Sequence, residues 1–255
     1  MTRLRKRDRQ EQILLELRQH PHVRTSDLAL RFGVSTETVR RDVEALSGKG
    51  LLRRAYGGAA AAPMGAQPPF GERDLARIDE RARIGRSAAE LVRPGEVLMI
   101  DAGSTTHQLA LGLAERGRDL TILTNSLAVA TALGRNKTFH IVLCPGDFMG
   151  PEAAVYGPET LDFLGRYNAN RAFIGSSGLT AKGITDANLA AVAVKRTMIR
   201  QARGTFLLVD HSKFDVELVA TVEPLSMLQG VVTDMQPPFL LREALHRANV
   251  RIKLA

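Results

Sequence analysis

The chain has 255 residues, 44% of them hydrophobic, with one cysteine and a formal net charge of +8. A length near the two-domain prior and an ordinary apolar fraction exclude a single small module and a disordered chain. The lone Cys144 excludes a disulfide framework and a multi-cysteine zinc site, and the longest uncharged run, residues 55–71, holds too many Gly and Pro to span a membrane.

Charge is unevenly placed. Residues 1–58 carry 13 Lys/Arg against 7 Asp/Glu, a net of +6, which leaves +2 for the rest of the chain. Such a block draws polyanions through counterion release, nucleic acid above all; a solvated basic face is the alternative. The early basic residues run into mixed sequence with no apolar h-region, so neither a secretory leader nor a membrane partner is expected, and the expected location is cytoplasmic.

Periodicity in this block gives three helices. Ile13, Leu14 and Leu17 mark the first, over residues 6–19 and stopped by Pro21. Thr25 or Ser26 caps the second, which turns Leu28, Ala29 and Phe32 inward and ends at Gly33; Ser35 caps the third, with Val39, Val43 and Leu46 on its buried face. This is a helix-turn-helix pattern. Burying that face leaves Thr36, Glu37, Thr38, Arg40 and Arg41 toward solvent, where a recognition helix meets bases and phosphates. The bland alternative pairs Arg40 and Arg41 with Glu37 and Glu44 on a wet surface. Residues 51–59 read as a hairpin, or wing, in which Gly57 and Gly58 allow positive φ or close approach while Arg53 and Arg54 reach flanking phosphates.

The motif Ser35-x-x-Thr38-Val39-Arg40-Arg41-Asp42-Val43-x-x-Leu46, followed by Leu51-x-Arg53-Arg54-x-Tyr56-Gly57-Gly58-Ala59, resembles the winged helix-turn-helix of DeoR-type transcriptional regulators. Tyr56 stands where that signature often has His. The resemblance implies a bacterial DNA-binding regulator, usually a repressor of a carbohydrate-use operon. The expected contacts to an operator duplex are Thr25, Ser35, Thr36, Thr38, Arg40, Arg41, Arg53, Arg54 and Tyr56.

The expected division is a winged helix-turn-helix over 1–58, a Pro- and Ala-rich linker over 59–71 and a larger domain over 72–255. The larger domain opens with a helix over 72–92. Apolar runs at 97–100, 120–123, 141–143, 172–174, 206–209 and 231–232 then alternate with helical stretches, which predicts an α/β fold with a mainly parallel sheet. Ligands bind such sheets beyond the carboxyl ends of the strands. The loops there are small and polar: Asp101-Ala102-Gly103-Ser104-Thr105-Thr106, Thr124-Asn125-Ser126, Gly175-Ser176-Ser177-Gly178 and Asp210-His211-Ser212-Lys213.

Small residues and hydroxyls let backbone amides cradle an anion, Lys213 neutralises a phosphate, and Asp101 and Asp210 accept from sugar hydroxyls. The candidate effector contacts are Asp101, Gly103, Ser104, Thr105, Thr106, Thr124, Asn125, Ser126, Gly175, Gly178, Asp210 and Lys213. Each loop also has an ordinary reading, as a capped helix start, a tight turn or an Asp210–Lys213 ion pair.

The DeoR resemblance continues through Asp101-x-Gly103-Ser104-Thr105-Thr106, Thr124-Asn125, Gly157-Pro158, Phe173-Ile174-Gly175-x-x-Gly178, Val194-Lys195-Arg196 and Asp210-x-Ser212-Lys213-Phe214, and so covers nearly the whole chain. It implies a sensor domain with a fold similar to ribose-5-phosphate isomerase and coenzyme A transferases, which binds a phosphorylated sugar or polyol. Thr160-Leu161-Asp162-Phe163 and the segment around Lys213 are similar to the glycerol-3-phosphate repressor subgroup. Ala193 replaces a common Glu, and the loop over 146–152 lacks a common Arg.

The competing reading is a sugar-phosphate isomerase with an accessory DNA-binding domain, resting on Asp101, Asp210 and Lys213 as base and electrostatic stabiliser. The expected protein is a regulator and no enzyme, a homo-oligomer, without cofactor or metal. Cys144 is expected to be buried.

Overall fold

The computed structural model describes residues 5–20, 22–47, 52–61 and 69–255, and the chain divides into two compact units, residues 1–68 and 69–255. The first unit contains α1 (Lys6–Gln19), β1 (His22–Arg24), α2 (Thr25–Phe32), α3 (Thr36–Ser47), β2 (Leu52–Ala55) and β3 (Gly58–Ala61). Its core joins Ile13 and Leu17 of α1 to Leu28, Ala29 and Phe32 of α2 and Val39, Val43 and Leu46 of α3, with Leu52 and Ala59 beneath. The helical spacing of those residues is what places three helices around one small core.

Local chemistry sets the turns. Gly33 ends α2 at φ 62, and the Ser35 hydroxyl accepts from the Thr38 amide at 3.2 Å to start α3. α2 starts differently from the sequence reading. Arg24 occupies its N-cap with no side-chain bond, and the Thr25 hydroxyl instead donates to the Gly57 carbonyl at 3.0 Å, tying the wing to α2.

Gly57, at φ 70, makes the hairpin turn. β1 pairs with β3, and residues 59–61, expected in the linker, are paired in β3. The alanines there pack a strand that no apolar alternation announces. Pro21, Leu51 and residues 62–68, expected as helix stop, wing start and linker, lie outside the described residues.

One buried charge fixes α3 against α1. Asp42, 1% exposed on the inner face of α3, accepts from Arg9 Nε at 2.5 Å and from Gln10 at 3.3 Å on α1. Removing one partner of a buried pair leaves the other uncompensated. Asp42→Ala should therefore destabilise the N-terminal unit by about 3 kcal/mol, read by urea denaturation. Glu44→Ala, which breaks only the exposed 3.6 Å pair with Arg54, should leave that transition nearly unmoved.

The second unit runs α4 (Phe70–Leu75), α5 (Ile78–Ala89), β4 (Val97–Ile100), α6 (Ser104–Arg116), β5 (Thr121–Thr124), α7 (Leu127–Leu133) and β6 (His140–Leu143), then β7 (Asp147–Met149), β8 (Ala154–Tyr156) and α8 (Pro158–Gly165). It continues with β9 (Arg171–Gly175), β10 (Gly178–Thr180), β11 (Gly183–Asp186), α9 (Leu189–Gln201), β12 (Thr205–Leu208), β13 (Ala220–Thr221), β14 (Gly230–Thr233), α10 (Phe239–Arg247) and β15 (Arg251–Leu254). Seven strands pair in parallel in the order β15-β14-β12-β9-β4-β5-β6. Side chains alternate between the faces: Met99, Leu123, Ile174, Leu207 and Val231 join α8, α9 and α10, while Leu98, Ile122, Phe173, Phe206 and Val232 join α5, α6 and α7.

Two differences from the sequence reading matter for the site. The helix expected over 72–92 is two helices, broken where Ala76 is extended and Arg77 is left-handed at φ 51. Arg81 supports the break by donating to the carbonyls of Arg73 and Ala76. The sheet also gains an edge strand, β15, whose Arg251 and Lys253 disguise its alternation. Cys144 is buried as expected, and burial pushes its thiol up to about 12.

Candidate functional site

The residues expected to meet DNA lie on α2, α3 and the wing. Arg40 and Arg41 are exposed, and each meets Glu37 at 3.3 Å, while Glu44 pairs with Arg54. The alternative pairing is thus present, yet exposed ion pairs contribute roughly 0–1 kcal/mol and yield readily to phosphate. Thr36 and Arg53 are exposed, and Tyr56 stands fully exposed at the wing tip. Ser35 and Thr25 are committed to the chain, Ser35 as the α3 cap with a 2.9 Å contact to the Thr38 hydroxyl, and Thr25 to the wing.

In the second unit the chain steps from β4 outward to β5 and β6, then returns to β9 on the other side of β4. The crevice beyond β4 and β9 is the topological switch point, where open parallel sheets bind ligands. Asp101 sits there, fully buried at the end of β4, with Oδ2 2.6 Å from Lys195 Nζ and 3.4 Å from the Gly175 amide. Lys195 comes from α9 and also lies 3.6 Å from Asp186, which accepts from the Ser177 hydroxyl at 2.8 Å.

Burial alone would lower the Lys195 pKa, but Asp101 and Asp186 outweigh it and raise it. Burial raises the Asp101 carboxyl despite that cation. Asp101 Oδ1 is buried with no hydrogen-bond partner among the described residues. It is a buried acceptor with capacity left for a donor.

The first loop leaves donors free. α6 starts at Ser104 after Gly103 with no side-chain cap, so its first amides have no partner from a cap, and the Ser104 and Thr105 hydroxyls make no hydrogen bond among the described residues. Thr106 is spent on the Gly103 carbonyl at 2.9 Å. The second loop is structural throughout: the Ser126 hydroxyl caps α7 through Val129, and the Thr124 hydroxyl accepts from the Ser126 amide. Asn125 there accepts from the Ala102 amide and donates to the Val155 carbonyl. All three are 0–1% exposed. Gly178 lies in β10, where an added Cβ would meet the Val216 carbonyl oxygen at 2.1 Å, so its lack of a side chain serves packing.

The loop after β12 is largely committed to the chain. Asp210 pairs with Arg81 at 3.2 Å and with the Ser212 amide at 3.0 Å, and Lys213 forms no ion pair within 4.0 Å among the described residues. Burial works to raise the Asp210 pKa, but the Ser212 bond, Lys213 and Arg81 together hold it below the ordinary value. Lys213 is lowered, by burial first, with Arg81 and Arg73 adding to the effect. His211 binds Asp234 at 2.6 Å through Nδ1 and Arg77 at 3.1 Å through Nε2.

Sequence reasoning therefore missed Lys195, Asp186 and Arg81 as site-forming groups. A signal existed for two of them. Lys195 falls on the α9 stripe of Ala191, Val192, Met198 and Ile199, and Arg81 on the α5 stripe of Ile84 and Ala88. A charge on a buried stripe needs a partner.

Family models agree with this architecture. One described as DeoR-like helix-turn-helix domain matches residues 9–63, and one described as DeoR C terminal sensor domain matches residues 76–235. The chain is 31% identical over 252 residues to the glycerol-3-phosphate regulon repressor of Escherichia coli (strain K12), across 98% of this chain and 100% of that one. It is 31% identical over 215 residues to the HTH-type transcriptional regulator IolR of Bacillus subtilis (strain 168), across 84% and 85% of the two chains. Among solved structures, ribose 5-phosphate isomerase A from Methanocaldococcus jannaschii aligns with a TM-score of 0.40 at 18% identity, over 55% of each chain.

A winged helix-turn-helix joined to a parallel-sheet sensor domain defines a DNA-binding transcriptional regulator. The chain belongs to the DeoR family, whose members matched here are named transcriptional regulators and repressors. No helix among its described residues is long and apolar enough to cross a membrane.

The buried cation gives a direct test. Lys195→Ala should strand two buried carboxylates and cost about 3–5 kcal/mol by urea denaturation. Lys182→Ala, which removes an exposed 3.1 Å pair with Glu217, should leave the transition nearly unchanged.

Proposed function

We propose that this protein is a cytoplasmic, homo-oligomeric repressor of a carbohydrate or polyol operon, released from its operator by a phosphorylated sugar or sugar alcohol. The observation that carries the reading is the contrast between loops. At the switch point the α6 amides and the Ser104 and Thr105 hydroxyls are uncommitted, while the neighbouring Thr124-Asn125-Ser126 loop is spent internally. Free amides at a helix start, small hydroxyls and an unpaired lysine, Lys213, are what a phosphate monoester asks of a site. The unpartnered Asp101 Oδ1 suits a ligand hydroxyl. Thr36, Arg40, Arg41, Arg53, Arg54 and Tyr56 form the face offered to DNA. Paired operator half-sites favour a symmetric partner chain.

The isomerase reading is weaker. A general base needs a carboxylate free to take a proton, and Asp101 is held by Lys195 and Asp210 by Arg81 and Ser212. Binding without turnover fits these groups better.

A thermal-shift panel of sugar phosphates and glycerol 3-phosphate beside their unphosphorylated parents tests the effector class. At about 100 times its Kd a true effector stabilises the sensor unit by about 2.7 kcal/mol, and the parent compounds should not. Equal shifts from both sets would contradict a phosphate site, and turnover of ribose 5-phosphate would favour the isomerase.

A further inference from the structure

Chain connectivity brings a second group of cations to the same edge. α4 starts two residues after residues 62–68, and its Arg73 reaches Glu152, on the 3-10 turn Gly150–Glu152 that follows β7. Arg81, in the next helix, holds Asp210 at 3.2 Å and also takes the α4 carbonyls of Arg73 and Ala76. α4 is fastened to α6 as well, since Asp74 meets His107 Nδ1 at 2.9 Å and Phe70 lies edge-on to the His107 ring at 5.7 Å. A helix of six residues is thus tied to the helix whose first amides are uncommitted.

Charge in this corner is out of balance. Lys213 has no carboxylate within ion-pair distance among the described residues; burial lowers its pKa, and Arg81 and Arg73 add to that while Asp210 and Asp186 work against it. Arg81 is paired with Asp210, and Arg73 with Glu152, which is partly exposed. Desolvated cations gathered with too few anions are stable only when an anion joins them.

We propose that α4 is part of the effector site: Arg73 and Arg81 join Lys213 in holding the ligand's anionic group, and Glu152 is the internal counter-charge that this anion displaces. The inference rests on the anionic effector proposed above. It adds that occupancy is felt directly at α4, the first helix of the sensor unit after residues 62–68. Loss of the Arg73–Glu152 tie on binding would then loosen or redirect that helix.

The test is calorimetric titration of the full chain with inorganic phosphate and with glycerol 3-phosphate. Glu152→Gln removes the competitor and should tighten phosphate binding several-fold, a gain that misfolding cannot produce. Arg73→Ala should weaken it about tenfold or more, as expected for a charge-assisted hydrogen bond. Wild-type affinity in both variants, with binding lost in Lys213→Ala, would overturn the role of α4 and leave the effector reading standing. No binding of either anion by wild type and Glu152→Gln at millimolar concentrations would overturn both.

Discussion

The sensor fold turns on one buried ammonium. Lys195 Nζ lies 2.6 Å from Asp101 and 3.6 Å from Asp186, and thereby joins α9 to the end of β4 and to the end of β11. Those three elements bound the switch point of the sheet. Replacing this cluster by apolar groups would be no harder to fold, since a buried ion pair is a poor source of net stability. Its value is geometric: it ties the strand ends together and leaves one buried carboxylate oxygen of Asp101 without a partner among the described residues.

The same device recurs at a smaller scale in the DNA-binding unit. Asp42 on α3 is buried against Arg9 and Gln10 of α1, which sets the rotation of the recognition helix and so decides that Arg40 and Arg41 point outward. Asp210 does likewise for α5 through Arg81. Each of these buried pairs fixes one helix, α9, α3 and α5 in turn, within its own unit.

This explains what was legible in the sequence. Apolar periodicity located α1, α2 and α3 and six of the seven strands of the main sheet, because burial of one face is a local pattern. β15 escaped because alternating Arg251 and Lys253 at a sheet edge look like solvated surface, and the end of β3, at residues 60–61, because alanines carry little pattern. The break between α4 and α5 has no local marker at Ala76 and Arg77, since the carbonyls it exposes are satisfied by Arg81 from the following helix. In the site, residue type alone made Asp210 and Thr124-Asn125-Ser126 look available. Only their three-dimensional partners show that they are already spent, while Ser104, Thr105 and Lys213 are not.

On the function proposed above, one anion bound beyond the strand ends weakens the grip of α3 and the wing on DNA. Linkage makes this reciprocal, so operator DNA must weaken ligand binding by the same factor. The most direct measurement is a fluorescence-anisotropy titration of the full chain with DNA selected from a random pool, with and without the phosphorylated compound that stabilises it, using Arg40→Ala/Arg41→Ala as the DNA-blind control. The account predicts that the compound lowers DNA affinity by about 5–150-fold, the span of ordinary allosteric coupling, and that its unphosphorylated parent does not. Unchanged or tighter DNA binding with the sensor site saturated would contradict it.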